Sequence, residues 1–462
     1  MTRNWTDGRV LVAGLGVSGA AAARALASRG ARVDVIEAGH GPAAAERAAG
    51  LAARGVHCEL DVAFDDPSLL DGVDLVVPSP GIAQSSPLLA GALERGIPVW
   101  SEPELAWRLA AGATRLIAVT GTNGKTTTTE LLAALLDAPV GGNIGTPLTD
   151  LLAVDPPPAL VVAELSSFQL RFTEQLAPDV TVLLNVAPDH LDWHGDLDAY
   201  VAAKARAWTQ SGADSALVVG DDAGARRAVT EHPARGRVVQ VTGGVPEPGQ
   251  VGVAEHAIAS RLDGALEPIA DLGDLALQGS HNVANACAAV AAALVAGAEP
   301  RDLAGPLKAF SPGPHRLALV ARRGGVSWID DSKATNPHAA AAALAACASS
   351  DDPGIVWIAG GLAKGLEFAA LAEPVAAHVR HAVTIGTSGP DVAALARAQG
   401  VEVTEAGELH RAVADAAQLA RPGETVLLAP ACASMDQFVD YAARGRAFAA
   451  AVAALDAGGD RR

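Results

Sequence analysis

The chain has 462 residues, of which half are hydrophobic and 19% are charged, so about three folded domains of roughly 150 residues are expected and extensive disorder is not. The formal net charge of −18 argues against binding to nucleic acids or anionic membranes, because polyanions repel an acidic chain. The four cysteines form no Cys-x-x-Cys pair and the first residues contain no apolar signal core, so we expect a cytoplasmic protein with reduced thiols.

Apolar strands alternate with helices over residues 10–110. We predict buried strands at Val10–Ala13, Val33–Ile36 and Val73–Val77, with an Ala-rich helix between the first two. This alternation indicates a parallel α/β unit.

A glycine-rich turn follows the first predicted strand. Residues 14–19 match the pattern Gly-x-Gly-x-x-Gly, and Glu37 ends the second strand about 20 residues further on. The glycines let a phosphate approach the backbone, and the start of the next helix attracts negative charge. Taken alone, the pattern is a dinucleotide fingerprint and supports an NAD-dependent dehydrogenase as an alternative function.

A second α/β unit begins with the predicted strand Leu116–Thr120. Two more strands are predicted at Leu160–Ala163 and Val180–Leu184, and two helices at Tyr200–Trp208 and His281–Gly297. A variable stretch rich in glycine and proline lies at about 235–275.

The sequence Gly-Thr-Asn-Gly-Lys-Thr-Thr at 121–127 joins the strand Leu116–Thr120 to a helix. Backbone N–H groups in such a turn form an anion cradle. Lys125 is predicted to hold β- and γ-phosphate oxygens, and the Thr126 hydroxyl to hold Mg²⁺. Val119 occupies the first glycine position of the phosphate-loop pattern, so an ordinary glycine turn without a ligand is the alternative.

Polar side chains follow the next two predicted strands. Glu164 ends one strand, and Asn185, Asp189 and His190 follow the other. Ligands of open α/β sheets bind beyond these strand ends, and a carboxylate there suits Mg²⁺ held between phosphates. The alternatives are a helix-terminal charge for Glu164 and a surface position for His190.

Lysine is rare in this chain, with five residues among the 34 lysines and arginines. A lysine therefore marks a position where an ammonium or a neutral amine is needed. Four of the five, Lys125, Lys204, Lys333 and Lys364, lie in or beside the motifs described here, and only Lys308 does not.

A hinge is predicted at Ser311–Pro314. Beyond it we predict a hairpin that turns at Gly324–Gly325 and buried strands at Ile355–Ala359, Ala382–Ile385 and Thr425–Ala429. The predicted domains are therefore residues 1–110, 111–312 and 313–462.

Motifs in all three predicted domains resemble the Mur ligase family and its relative folylpolyglutamate synthase. The central matches are GTNGKTTT, ELSSFQL, NVAPDHLDWHG, GNIGTP and GSHNVANACAA, followed by PHRLA at 314–318. DDSKATNP at 330–337 and APACASMDQF at 429–438 resemble the D-glutamate-adding member of the family. Together these motifs are highly specific.

The resemblance implies an α/β fold of three domains. These are a Rossmann-like UDP-binding domain, a central P-loop ATPase domain and a C-terminal Rossmann-like domain that binds an amino acid. It implies an ATP-dependent ligase of peptidoglycan synthesis that adds D-glutamate to UDP-N-acetylmuramoyl-L-alanine through an acyl phosphate. ATP, two Mg²⁺ ions and a carbamylated Lys204 are the implied cofactors, and we expect a monomer.

The resemblance also assigns roles to residues. The catalytic residues are Lys125, Glu164, His190 and Lys204. The ATP-binding residues are Gly121, Thr122, Asn123, Gly124, Lys125, Thr126, Thr127, Asn282, Asn285, Arg316 and Asp331. The residues for the UDP-linked substrate are Gly14, Val17, Ser18, Glu37, Ser79, Gly81 and Asn143. Those for D-glutamate are Lys333, Thr335, Lys364, Ser434 and Tyr441. The metal ligands are Thr126, Glu164, His190 and the carbamate of Lys204.

Three points stay open in the sequence. Ala38 and Gly39 follow Glu37, where D-glutamate-adding relatives often carry polar or basic residues, so the side chains that contact uracil are unassigned. His190 and a metal-linked water are both candidate bases for the amine proton. A ligase for a different amino acid and an inactive nucleotide-binding scaffold are the alternatives besides the dehydrogenase.

Overall fold

The structure, a computed structural model, describes residues 8–110, 112–276, 279–348 and 354–455. Residue 111, where the second predicted domain begins, lies outside the described residues. The chain divides into two compact units. The first unit runs to Val186 and also contains Trp193–Gly273 and Ala284–Leu307. The second contains Ala187–Asp192, Asp274–Val283 and the chain from Lys308 onward.

The N-terminal sheet has four parallel strands in the order β3-β2-β1-β4. Its core is aliphatic because alternate residues of each strand, such as Val10, Val12, Val33 and Val35, face the same side. The elements of this region are β1 (Arg9–Ala13), α1 (Val17–Ala27), β2 (Arg32–Glu37), α2 (Pro42–Ala52), β3 (His57–Leu60), β4 (Leu75–Pro78), α3 (Pro87–Glu94) and α4 (Glu102–Ala110).

The central sheet has nine strands in the order β13-β12-β11-β10-β9-β8-β5-β7-β6, antiparallel only among β11, β12 and β13. Its elements are β5 (Arg115–Thr120), α5 (Lys125–Leu136), β6 (Val140–Gly142), α6 (Leu148–Leu151), β7 (Leu160–Glu164), α7 (Ser167–Arg171), β8 (Val180–Leu183), α8 (Leu191–His194), α9 (Leu197–Thr209), β9 (Ala216–Val219), α10 (Ala223–Glu231), β10 (Arg237–Val241), β11 (Gln250–Ala254), β12 (Ala257–Ser260), β13 (Glu267–Asp271), α11 (Ser280–Val295) and α12 (Pro300–Ala309).

The C-terminal sheet has six strands in the order β14-β15-β19-β16-β17-β18, with the β14–β15 hairpin at one edge. Its elements are β14 (Ala318–Arg323), β15 (Val326–Asp330), α13 (Pro337–Cys347), β16 (Ile355–Gly360), α14 (Ala372–His378), β17 (Val379–Ile385), α15 (Gly389–Ala398), β18 (Glu402–Gly407), α16 (Leu409–Leu419), β19 (Thr425–Leu428) and α17 (Tyr441–Ala454).

Helix α4 joins the N-terminal and central sheets. Two buried glutamates of its first turn hold it in place by hydrogen bonds to neighbouring segments. Glu104 accepts hydrogen bonds from Arg108 and from the backbone N–H groups of residues 174–176. Glu102 accepts from the backbone N–H and the hydroxyl of Thr149 at 2.6 and 2.7 Å, through one carboxyl oxygen. Its other oxygen is buried without a partner among the described residues, and burial raises the pKa of this carboxyl to about 7. The first unit is therefore held together by polar contacts as well as by its cores.

The predicted α/β class with three sheet-containing domains is confirmed, and each predicted strand is present within a few residues of its expected bounds. The stretch at about 235–275, for which no strand was predicted, contains the strands β10 to β13. No helix within the described ranges is long and apolar enough to cross a membrane. The domain boundaries, the monomeric state and the cytoplasmic location stay predictions.

Candidate active site

The turn between β5 and α5 has a backbone that only glycine fits at two positions. Gly121 and Gly124 have φ angles of +153° and +82°. A Cβ atom on Gly124 would lie 2.3 Å from the Asn285 side-chain oxygen, so a side chain there is excluded. Val119, at the first glycine position of the sequence pattern, is a fully buried residue of β5 instead. The turn thus starts two residues later than the pattern suggests.

Asn185 shapes this turn from the end of β8. Its side-chain oxygen accepts hydrogen bonds from the backbone N–H groups of Thr122 (3.1 Å) and Asn123 (2.8 Å). Its amide nitrogen donates to the carbonyl of Asn123 at 3.1 Å. We predicted Asn185 at the end of this strand but could not predict its role from the sequence, because its partners are 62 and 63 residues away.

Two lysines converge on one backbone oxygen of the turn. Lys125 donates from Nζ to the carbonyl oxygens of Gly121 (3.0 Å) and Thr122 (2.8 Å). Lys204, on α9, is 2% exposed and donates to the same Gly121 oxygen at 2.8 Å. The Lys204 nitrogen also lies 4.5 Å from the centre of the Tyr200 ring, whose hydroxyl bonds to Thr122. This arrangement concentrates positive charge at the turn, which favours an anionic ligand.

Glu164 ends β7 beside the same turn, since Val119 and Glu164 are paired in the sheet register. One carboxyl oxygen accepts from the Asn143 side chain at 2.7 Å. The other is buried and has no hydrogen-bond partner in the described part of the chain. A buried carboxylate oxygen without a partner is costly, and a bound cation would compensate it. Asn143, predicted to contact the UDP-linked substrate, is thus placed against Glu164.

The turn between β1 and α1 is also shaped by glycine. A Cβ atom on Gly19 would lie 2.0 Å from the Gly14 carbonyl oxygen. Ser79, at the end of β4, donates its hydroxyl to that same oxygen at 3.0 Å. Glu37 accepts from the backbone N–H of Leu15 (2.5 Å) through one oxygen and of Gly39 (3.0 Å) through the other. Val17 is 55% exposed at the start of α1, so the turn is open to a ligand.

In the second unit, a cavity of about 220 Å³ is lined by Asn282, Arg316 and residues 311–314 of the predicted hinge. Two of the predicted ATP-binding residues therefore face one cavity.

Asp331 accepts from the backbone N–H of Leu317 at 3.2 Å, and burial raises the pKa of its carboxyl to about 7. His190 has a left-handed backbone (φ +54°), and its neighbour Asp189 accepts from the Asn336 side chain at 3.1 Å.

Four of the five predicted D-glutamate residues lie on loops that follow strands of the C-terminal sheet, and the fifth, Tyr441, begins α17. The Lys333 nitrogen is 5.4 Å from the centre of the Tyr441 ring. The loops that carry Lys364 and Ser434 are joined by two backbone hydrogen bonds between Leu362 and Ala433. The structure thus pairs Lys333 with Tyr441, and the Lys364 loop with the Ser434 loop.

Sequence reasoning missed a buried arginine behind these loops. Arg444, 1% exposed, donates to the hydroxyl (3.0 Å) and carbonyl (2.9 Å) of Ser332 and to the carbonyl of Cys432 (3.1 Å). It therefore ties the segment of Lys333 to the segment of Ser434. Its placement inside an Ala-rich helix, next to Gly445, was the available signal.

In neither unit do three or more His, Cys, Asp or Glu side chains cluster as a metal site among the described residues.

Family models match three consecutive parts of the chain. The Mur ligase MurD-like N-terminal domain matches residues 8–101, the Mur ligase middle domain 119–293, and the Mur ligase glutamate ligase domain 315–432. These matches follow the order of the three sheets.

Full-length relatives share much higher identity than chance allows. The chain is 48% identical to the UDP-N-acetylmuramoylalanine–D-glutamate ligase of Frankia casuarinae, over 98% of this chain and 95% of that protein. It is 43% identical to the enzyme of the same name from Streptomyces avermitilis, over 98% of this chain and 100% of that protein.

Solved structures share the fold at low identity. The UDP-N-acetylmuramate–alanine ligase MurC of Thermotoga maritima has a TM-score of 0.58 at 20% identity, and the match covers 97% of this chain and 100% of that one. The folylpolyglutamate synthase of Mycobacterium tuberculosis, complexed with ADP, has a TM-score of 0.56 at 16% identity, with 78% and 94% covered. Given the identity and coverage of the full-length relatives, this chain belongs to the Mur ligase family.

Proposed function

We propose that this chain is the ATP-dependent ligase that joins D-glutamate to the L-alanine carboxyl of UDP-N-acetylmuramoyl-L-alanine, with release of ADP and phosphate. The observation that carries the ATP-dependent chemistry is the Lys125 ammonium, held at the turn by the Gly121 and Thr122 carbonyls beside the open oxygen of Glu164. The names of the full-length relatives support the choice of substrates.

The triphosphate of ATP would lie on the turn 121–127, at the N-terminus of α5. Backbone N–H groups at a helix start attract phosphate, and Lys125 already holds its ammonium over the turn through two carbonyl oxygens. Because little covalent chemistry is needed in phosphoryl transfer, positioning and charge neutralisation supply most of the catalysis.

The residues around the turn fit Mg²⁺. Glu164 offers a buried carboxyl oxygen without a partner among the described residues, and Thr126, 7% exposed, is the second residue of α5. A Thr hydroxyl and a carboxylate are oxygen ligands of the type Mg²⁺ prefers, so Thr126 and Glu164 would hold it. His190 is the proposed additional ligand. When bound, the metal supplies charge neutralisation at the transferring phosphoryl group.

Lys204 is proposed to carry a carbamate. The Lys204 ammonium would first lose one proton, and the neutral amine would then bond to the carbon of CO₂ and release a second proton to solvent, which gives an anionic group able to hold metal. Arginine could not replace it, because its guanidinium stays protonated. The buried position of Lys204 beside the turn supports this role. In protein equilibrated with ¹³C-bicarbonate, we expect a carbamate carbon signal that is absent from Lys204→Arg.

Two steps follow in the proposed reaction. An oxygen of the L-alanine carboxylate bonds to the γ-phosphorus of ATP, and ADP leaves. The D-glutamate amine then attacks the carbonyl carbon of the acyl phosphate, loses a proton and expels phosphate. His190 and a water molecule are the two candidate acceptors of that proton. Lys333 and Lys364 would pair with the two carboxylates of D-glutamate, with Thr335, Ser434 and Tyr441 around them.

The test is phosphate release from ATP in the presence of UDP-N-acetylmuramoyl-L-alanine. We expect release only when D-glutamate is added, and not with L-alanine or L-lysine. Release with another amino acid would identify a different Mur-type ligase, and oxidation of NADH with carbonyl substrates would support the dehydrogenase. Rapid ATP hydrolysis without an amino acid, or no turnover with any of them, would contradict the proposal.

A further inference from the structure

Helix α2 carries an arginine on its inward side. The half-buried and buried residues of α2 recur as Ala44, Arg47, Ala48 and Leu51, at the spacing of one helix face. Small and aliphatic residues are expected on that face, because it packs toward the sheet. Glu46, next to Arg47, is exposed instead. An arginine at an inward position therefore calls for a polar partner or a ligand.

The Arg47 guanidinium is held at the glycine turn between β1 and α1. Nη1 donates to the carbonyl oxygen of Leu15 at 3.2 Å. The backbone N–H of the same Leu15 donates to the Glu37 carboxylate at 2.5 Å. Arg47 and Glu37 therefore both hold the turn through the backbone of Leu15. No carboxylate forms an ion pair with Arg47 in the described ranges, so its other N–H donors are available.

We propose that Arg47 binds the uridine nucleotide of the UDP-linked substrate, as a specificity-determining residue supplied by α2. This inference rests on the proposed function, which places UDP at the turn 14–19. It accounts for a feature of the sequence: the residues directly after Glu37 are Ala38 and Gly39, and Gly39 contributes only its backbone N–H to Glu37. Arg47 supplies the basic side chain that these two positions lack.

Arginine suits both kinds of acceptor in this nucleotide. Its planar fork can donate two parallel hydrogen bonds to a phosphate, or to the carbonyl edge of uracil. The bond to Leu15 fixes one arm of the fork, so less side-chain freedom is lost when the ligand binds. Phosphate and uracil can be distinguished as the acceptor by comparing UDP and UMP, which contain both groups, with uridine, which has no phosphate.

The experiment measures the binding of UDP, UMP and uridine to the full chain by calorimetry, for the wild type, Arg47→Gln and Arg47→Lys. We expect Arg47→Gln to weaken UDP binding by about tenfold or more, as for loss of a charged hydrogen bond, and Arg47→Lys to weaken it less. An equal loss for uridine assigns the contact to the base and ribose, and a loss confined to UDP and UMP assigns it to phosphate. ATP affinity should not change.

Arg54→Gln is the matched control. Arg54 follows the C-terminal end of α2 and lines a cavity at the opposite edge of the sheet, with Arg9, Arg32 and His57. This variant changes the charge equally and should bind UDP as the wild type does. If Arg47→Gln also binds UDP like the wild type, the inference is wrong. If the wild type itself does not bind UDP, the proposed function fails instead.

A second measurement needs no variant and so does not depend on folding. An arginine-specific dicarbonyl reagent is applied to the wild-type protein with and without UDP, and the modified peptides are quantified by mass spectrometry. We expect UDP to protect Arg47 and to leave the modification of Arg54 unchanged. Equal modification of Arg47 in both samples would overturn the inference.

Discussion

Two glycine-rich turns of the first compact unit share one architecture and differ in the carboxylate beside them. Both join a buried parallel strand to a helix, and both exclude side chains at specific glycines. At the N-terminal turn, Glu37 has both oxygens bound by backbone N–H groups. At the central turn, Glu164 keeps one buried oxygen open and two lysines converge nearby. In the proposed function each turn holds an anion, and the side chains around the turn would decide whether a metal joins that anion.

The largest expected effect comes from removing the cation of the central turn. Lys125→Ala should lower kcat by about 1,000-fold, because one fixed charge at a transferring phosphoryl group is worth several kcal/mol. Lys308→Ala, a lysine of α12 paired with Asp274, is the matched control and should keep full activity. Steady-state phosphate release measures both. Turnover by Lys125→Ala close to that of the wild type would end the assignment of the turn to ATP.

The open oxygen of Glu164 gives the next effect. Glu164→Gln keeps the shape and the oxygen that can bond to Asn143, but it removes the negative charge that suits a cation. We expect about a 100-fold loss of kcat and a rise in the Mg²⁺ concentration needed for half-maximal activity. Glu267→Gln, at an exposed position of β13, controls for the change of charge. An unaltered Mg²⁺ requirement would show that the open oxygen does not hold metal.

Glu37 should matter for the UDP-linked substrate alone. Glutamine has one acceptor oxygen, so it can satisfy only one of the N–H groups of Leu15 and Gly39 and sets an NH₂ group against the other. We expect KM for UDP-N-acetylmuramoyl-L-alanine to rise about tenfold in Glu37→Gln, with KM for ATP unchanged. Exposed Glu46→Gln on α2 is the control. A matching rise in KM for ATP would mean that the two turns are not independent.

Glu102 is a useful comparison with Glu164, because it also has a buried carboxyl oxygen without a partner among the described residues but lies at neither turn. Its pKa is raised from the ordinary 4.5 to about 7, chiefly by burial, so the folded protein binds this proton more tightly than the unfolded chain does. The stability it contributes is present below about pH 4.5 and is lost as the pH rises through about 7. An open oxygen away from a ligand site is thus expected to carry a proton.

The measurement is the free energy of unfolding of the wild type and Glu102→Gln between pH 4.5 and 8. The wild type should lose up to about 3 kcal/mol relative to the variant over this range. Asp331, whose pKa is also raised to about 7, contributes the same slope to both proteins and cancels. Exposed Glu94→Gln should follow the wild type, and parallel curves for all three would show that folding does not raise the pKa of Glu102.

The central turn could be predicted because its signals are local. An apolar run, two glycines and Lys125-Thr126 stand within twelve residues, and each follows its intrinsic preference. The strands β10 to β13 were not predicted, because short strands with polar and glycine-rich surroundings form through pairing rather than local pattern. The partners of Lys204 and Asn185 lie 83 and 62 residues away, and no spacing in the sequence could reveal them.

The Asn185 side chain has a consequence for how the central turn meets its ligand. Its oxygen takes the N–H groups of Thr122 and Asn123, as an oxygen of a bound anion would. If the turn binds ATP as proposed, the Asn185 amide would hold the loop in its binding conformation before the nucleotide arrives. Little backbone entropy then has to be lost on binding, and affinity gains accordingly. In the proposed function, a phosphate of ATP would either bind the N–H groups that follow Asn123 in the loop or displace the Asn185 side chain from Thr122 and Asn123. The two alternatives place ATP at different positions on the turn.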